Sequence, residues 1–464
     1  MNRKVLSADG LIALIGNSFS KISDSRGDKI KYELRDSMLT AFAAFSLKYD
    51  SFNSFFKDLD ESEDKRISVK HLYRAKNIPS STRLKEIVDP IDTKLLRPVF
   101  NDVLREMQRG KELEKFKIFD KYYILALDGT QYYESEKVHC KNCMVKEFKN
   151  GTKHYYHQIL AGCFVHPKIK QVIPIAPEPI ENSDGDTKND CERNASKRLL
   201  KKIRAEHPKM PIIITEDGLS SNGPHIRTLK EHKMSFVLGV KPKDHKLLFS
   251  WVDALDKESI KTSQRYSYSG KKVIRRTIQT VRYVNSVPLN DANSDLLVNF
   301  VEVIDRVEKK VEKIKHDEKG IATITYEWVI DGKDTKFTWV TDLELKENNV
   351  FGIMEIGRKR WAIENETFNT LKNYGYNFSH NYGHGDEHLA TNFAYLMMLA
   401  FLVDQVQELC CRTFQMALEY KKTKKSLWAK IRSFYAMFAL KINWERLLKW
   451  IVDPPKLIID ENTV

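Results

Sequence analysis

The chain has 464 residues, 42% hydrophobic and 30% charged, a composition that leaves room for about two to four folded domains and excludes a disordered or fibrous chain. Its 77 Lys and Arg against 63 Asp and Glu give +14 and a pI near 9.2, a balance that points to a polyanionic partner. Six cysteines in so long a chain do not make a disulfide framework and point to a reducing cytoplasm. The early apolar run Leu11–Ile15 lacks the length and cleavage site of a signal peptide, and Phe393–Val403 is too short to span a bilayer, so no membrane partner is expected.

Residues 1–120 read as helical, with no catalytic signature. Leu34, Met38, Phe42 and Phe45 recur at helical spacing, as do Leu96, Phe100, Val103 and Met107. Between them, Ser68 to Ile91 is broken at Pro79-Ser80-Ser81, with Lys70, Arg74, Lys76, Arg83 and Lys85 around the break. That pattern fits a helix-turn-helix-like DNA reader, and equally a helical cap with a solvated basic face.

From residue 121 the pattern changes. Tyr122–Leu127 reads as a buried strand ending at Asp128-Gly129-Thr130. Strands at Tyr155–Val165 and Gln171–Ala176 continue an antiparallel meander. A helix over Thr187–His207 follows, with Asp184, Asp186, Asp190 and Glu192 around its start, where acids complement the helix dipole. A second buried run, Ile212–Glu216, also ends in Asp-Gly, at Asp217-Gly218; a helix (Pro224–His232) and a strand (Ser235–Val240) come next. The order β-β-β-α-β-α-β is that of a ribonuclease-H-like fold. The expected class is therefore mixed α/β, with this core in residues 121–250 and 346–400.

Residues 251–345 interrupt that core. Val273–Val284, Leu297–Ile304, Ile321–Ile330 and Lys336–Val340 read as strands, with a hairpin turn at Asp331-Gly332. After this β-rich insertion, Arg360–Asn373 reads as one helix. Arg360 and Glu364 share a face, and Phe368 and Leu371 carry the stripe toward the core. Residues 401–464 form a basic helical C-terminal region. Residues 412–449 hold ten Lys or Arg against two acids, Glu419 and Glu445, with Phe414, Trp428, Phe434 and Phe438 interleaved. A solvated face, a phosphate-backbone surface and partner-subunit contacts through the aromatics all fit.

Taken singly, an Asp-Gly is a turn signal and Arg360/Glu364 an ion pair. Together they suggest a site. Adjacent strands lie ~4.8 Å apart, so acids at neighbouring strand ends can share an ion. Paired metals in nuclease sites stand ~3.5–4 Å apart. Asp128 and Asp217 meet that requirement if their strands are neighbours, and Glu364 supplies a third carboxylate from a packed helix.

The segments Leu127-Asp128-Gly129-Thr130, Thr215-Glu216-Asp217-Gly218 and Arg360-Trp361-x-Ile363-Glu364 resemble the three acidic motifs of DDE transposases of bacterial insertion sequences. They are most similar to the IS-four-type group, which also carries a β-strand insertion before the glutamate. The resemblance covers roughly residues 120–400. It implies metal-dependent DNA cleavage at transposon ends, then attack of the freed 3′-hydroxyl on target DNA. Asp128, Asp217 and Glu364 would hold two Mg²⁺ (or Mn²⁺), with Arg360 and Lys372 contacting DNA phosphate. The implied partner is double-stranded DNA (terminal inverted repeats and target), bound by a homodimer in the bacterial cytoplasm at the nucleoid. The sequence departs from the group twice. The tyrosine three residues before the arginine is Gly357. The lysine seven after the glutamate falls on Leu371, leaving Lys372 one step late and turned about 80° from Glu364 on a regular helix. A DDE-type nuclease that cuts without joining, and an inactive DNA-binding descendant, are the other readings.

Three smaller constellations remain. Cys140, Cys143, His154 and His157 are a candidate structural Zn²⁺ set, or a reduced hairpin whose Cys and His merely lie close. The Gly-rich run His380–Asp386, with His380 and His384, reads as an ordered turn between helices, or as a segment that contacts DNA or assists the chemistry. Asp186 and Asp190 are rival metal ligands already explained by the helix start.

Overall fold

A computed structural model describes residues 4–27, 30–182, 190–256, 258–316 and 322–455. They fall into two units: Met1–Lys117 with Leu127–Pro208 and Trp361–Val464, and Ile118–Ala126 with Lys209–Arg360. The strand Tyr122–Ser135 gives its first residues to one and its last to the other.

The first unit is organised on the helix Leu389–Cys410, apolar on nearly every face and buried almost throughout. By length and composition it is the one described helix able to cross a membrane, yet 94% of its apolar window is enclosed by the protein. Several of its polar residues find partners inside. The Asn392 amide donates to the carbonyls of Val88 and Ile91 at 2.9 and 2.8 Å and accepts from Thr93 Oγ1. Asp404 takes the Lys48 ammonium at 2.7 Å and the Tyr376 hydroxyl, and Lys48 lies over the Tyr376 and Trp428 rings. Helix Leu34–Ser46 packs on it, and Phe52 stacks on Phe393 at 4.5 Å. Strand Lys153–His166 pairs with Met144–Glu147, Ile169–Pro174 and Glu178–Ile180, and lies beside Tyr122–Ser135.

Two expectations change in this unit. Helices Glu63–Leu72 and Ser81–Val88 are joined by residues 73–80, longer than the 3–4-residue turn of a helix-turn-helix. In the C-terminal helices Arg412–Lys421 and Lys424–Met437, the Phe414, Trp428 and Phe434 rings are buried, which leaves the basic residues rather than those rings facing out.

In the second unit, Tyr123–Ala126 pairs in parallel with Ile212–Thr215, and Ile213–Glu216 in parallel with Ser235–Leu238. Every residue of Ile212–Glu216 is buried, as expected of a parallel strand covered on both faces. The insertion is stitched directly to this sheet: Thr335–Thr341 pairs with Ser235–Gly239 and with Leu297–His316. Arg275–Pro288 and then Lys261–Ser269 follow outward, and Ala322–Ile330 pairs with the far half of Leu297–His316. Gly332 takes φ +103° in the turn between Ile330 and Thr335.

The core is ribonuclease-H-like: a three-strand meander whose first strand also takes a parallel partner, itself paired to a further parallel strand. The expected boundary at residue 250 does not divide the units, because the insertion's last strand extends the core sheet.

Candidate functional site

Asp128 sits half-buried on Tyr122–Ser135, after the five buried residues Tyr123–Leu127. The strand does not stop there. Buried Tyr132 and Tyr133 carry it onward, their hydroxyls donating to Thr391 Oγ1 and to the Val138 carbonyl. Asp128 Oδ1 accepts from the Gly129 N–H at 2.9 Å. The Glu192 carboxylate lies against Gly129, only 2.1 Å from where a Cβ would stand. Glu192 opens the helix Glu192–Glu206, shorter than the expected Thr187–His207. Asp184, Asp186 and Thr187 lie outside the described residues. Asp190 accepts from Arg198 at 2.7 Å, which gives it a structural partner.

In the other unit, Asp217 follows directly on Ile212–Glu216. Its Oδ1 accepts from the Leu219 N–H at 3.0 Å, an Asx turn that directs the chain away from the strand. Behind it, buried Glu216 pairs with His225 of helix Gly223–Glu231 at 2.5 Å, and Ser221 Oγ donates to the Gly218 carbonyl at 2.8 Å. The register ends at Ala126↔Thr215. Asp128 and Asp217 are each the second residue beyond that pair.

Glu364 is not on a regular helix. The expected single helix Arg360–Asn373 is instead the end of Val350–Lys359, capped by Arg360, then a π turn over Ile363–Phe368, then Asn369–Asn373. Within it the Asn369 N–H reaches back five residues to the Glu364 carbonyl. Wide turns of this kind are rare and recur at functional sites. This one is held by buried Ile363, Thr367, Phe368 and Leu371, with Thr367 Oγ1 3.2 Å from Cys163 Sγ on Lys153–His166. Lys372 is half-buried, and that burial pushes its ammonium below the usual lysine value.

The cysteine–histidine cluster forms, with one member exchanged. Cys140, Cys143 and His157 come together with His384, not His154. Three residues apart on a strand, His154 and His157 point to opposite faces. His154 pairs with Glu134 at 2.5 Å and with Glu136 at 3.4 Å. The Gly-rich run is thus more than a turn: His384 is 6% exposed and its Nε2 lies 3.5 Å from Cys143 Sγ, while His380 packs edge-on to Tyr382. Contact with Cys143 draws Cys140 well below the ordinary thiol range, and the same contact pushes Cys143 up.

A family model described as "Transposase DDE domain" matches residues 120–402. The chain belongs to the DDE transposase family. No curated protein matches it. The matched span takes in Asp128, Asp217 and Glu364, the β-rich insertion and the cysteine–histidine cluster. It leaves the N-terminal helices and the basic C-terminal helices as flanks.

Position 357 has no room for a side chain such as tyrosine. A Cβ at Gly357 would stand 2.4 Å from the Trp339 indole, which comes from the insertion's last strand and packs on the helix there. Sequence reasoning missed Trp339, which had no motif, and named His384 in the Gly-rich run without joining it to the cysteines.

Proposed function

We propose that this transposase cuts DNA at transposon ends and joins the freed ends to target DNA, using Asp128, Asp217 and Glu364 as the ligands of two Mg²⁺ or Mn²⁺ ions. The main support is the pair of matching registers, in which two parallel neighbouring strands each reach an aspartate at the same step beyond Ala126↔Thr215. Carboxylate oxygens are the donors Mg²⁺ prefers, and a set of three leaves coordination positions for water and phosphate. When bound, the ions neutralise phosphate charge and lower the pKa of the attacking water.

The chain's own residues position the substrate. In the cut, the oxygen of a water molecule attacks phosphorus and the P–O3′ bond breaks, leaving a 3′-hydroxyl. In joining, that hydroxyl attacks a target phosphodiester and displaces another 3′-oxygen. Arg360 and Lys372 would hold the non-bridging oxygens. The π turn supports Lys372 in that role. It takes one more residue per turn than an α-helix, so the eighth residue after Glu364 takes the phase that the seventh has on a regular helix. The one-residue delay is thereby cancelled. The IS-four-type assignment, a dimer on paired ends, a basic phosphate-backbone surface on the C-terminal helices and work at the nucleoid belong to the same proposal.

The test uses linear duplex DNA bearing the inverted repeats that flank the element, with and without Mg²⁺. Cleavage at the repeat end should need the metal and vanish in Asp128→Asn, Asp217→Asn and Glu364→Gln. Binding without cutting by the wild-type protein would move the assignment to an inactive DNA-binding descendant. Cutting without joined products would move it to a nuclease.

A further inference from the structure

We propose that Cys140, Cys143, His157 and His384 bind one structural Zn²⁺. Cys140 Sγ and Cys143 Sγ lie 3.9 Å apart, too far for a disulfide. His157 Nε2 is 3.5 Å from the first and 3.3 Å from the second, and His384 Nε2 is 3.5 Å from Cys143 Sγ. All four ligand atoms lie within 4.8 Å of one another. A tetrahedral zinc with Zn–S ~2.3 Å and Zn–N ~2.0–2.1 Å has S···S edges of ~3.8 Å and S···N edges of ~3.5 Å. The four separations given above lie close to those edges.

Burial and charge favour the same ion. Cys143, His157 and His384 are 3%, 1% and 6% exposed. Both imidazoles aim Nε2 at sulfur, and their buried Nδ1 atoms have no hydrogen-bond partner among the described residues. Two imidazoles and one thiol buried beside a second, half-buried thiol are costly unless something takes the lone pairs. Two thiolates neutralise one dication, which leaves the pocket uncharged. Soft sulfur donors exclude Mg²⁺ and Ca²⁺, and a closed S₂N₂ set with no open position is a structural zinc site.

The site ties three separate segments: the loop after the Asp128 strand, the strand Lys153–His166, and the run that follows the Glu364 helix. Two other contacts already hold that run. The Asp89 carboxylate accepts the backbone N–H groups of Asp386, Glu387, His388 and Leu389 at 2.9–3.1 Å. Asn142, inside the Cys-x-x-Cys loop, donates to the Glu387 carbonyl at 2.8 Å. The ligands are therefore held in place before metal arrives, and the bound ion would fix the two acid-bearing elements of this unit to a common frame.

The experiment measures metal content and cobalt spectra of the full-length chain purified without chelator. About one zinc per chain is expected in the wild type and in His154→Ala, and less than about a tenth of that in His384→Ala. Cobalt(II) in the wild type should give the intense visible bands of a tetrahedral site and thiolate charge-transfer absorption. If His384→Ala does not fold, His384→Cys keeps the test decisive, because cobalt should then show stronger charge transfer from a third thiolate. A wild-type protein that takes up neither metal would overturn the proposal. So would loss of zinc in His154→Ala with retention in His384→Ala.

Discussion

In the unit built on Leu389–Cys410, charges are buried against dedicated partners. Lys48 and Asp404 are 3% and 7% exposed, the Arg97 guanidinium grips Glu206, and Asp89 caps four backbone N–H groups. In the outer part of the other unit's insertion, pairs such as Lys313–Glu327, at 56% and 42% exposed, and Arg306–Asp334, at 48% and 37%, lie in water. The insertion's outer strands leave Tyr266, Tyr268, Ile314, Ile324 and Tyr326 exposed as well. The difference teaches where specificity is stored. A buried pair is conditional on both partners, because either charge alone pays its full desolvation, whereas an exposed pair is already solvated and screened.

The comparison breaks first, if it breaks, at Asp404. Asp404→Ala strands the Lys48 ammonium and should cost about 3–5 kcal/mol, read from urea unfolding of the full chain. Lys48→Met with Asp404→Leu should recover most of that loss; equal cost in the single and double variants would refute the argument. Asp89→Ala comes next. Losing the cap of Leu389–Cys410 should cost about 0.5–2 kcal/mol and should weaken zinc retention, since the run carrying His384 is released.

A smaller effect sharpens the contrast through pH. Burial raises the Glu408 carboxyl above its usual 4.5, against the pull of Lys424. Its folded value exceeds its unfolded one, so its stabilisation is full below about 4.5 and is lost as pH rises through the raised value. Glu327 behaves in the opposite sense. The hydrogen bond from Lys313 lowers it, so its contribution is present above the usual value and is lost on acidification. Unfolding midpoints of Glu408→Gln should therefore gain on the wild type as pH rises through the acid range. Glu327→Gln should lose only a small amount against the wild type at neutral pH, because water screens the exposed pair, and should converge with it on acidification. A large neutral-pH loss in Glu327→Gln would show that the exposed pairs carry stability after all.

Much of the core was legible because its signals are local. Ile212–Glu216 is a run of buried β-formers closed by a turn residue, and its bounds match the expectation. Leu34–Ser46 and Arg97–Arg109 follow helical spacing with little error at the ends. Most of the misses share a cause: they depend on residues distant in sequence. Leu297–His316 runs past Ile304 because Ala322–Ile330 pairs with a stretch whose own charges hide its strand character. The π turn lies in Ile363–Phe368, whose residues suit an ordinary helix, so packing at Thr367 and Phe368 rather than propensity holds its register. Choosing His154 over His384 ignored strand alternation, and nothing near Cys140 in sequence pointed to a histidine from the far end of the DDE domain. The division into units was invisible for the same reason, since it follows from the pairing of Thr335–Thr341 with Ser235–Gly239.

The most direct test of shared metal binding by the three acids does not depend on DNA or turnover. Fe²⁺ bound in place of Mg²⁺, with ascorbate and peroxide, cleaves the backbone near its ligands, and mass spectrometry locates the cuts. Cuts next to Asp128, Asp217 and Glu364, all lost together in Asp217→Asn, are the expected result. Cuts beside only one acid, or a pattern that Asp217→Asn leaves unchanged at the other two, would contradict a common site.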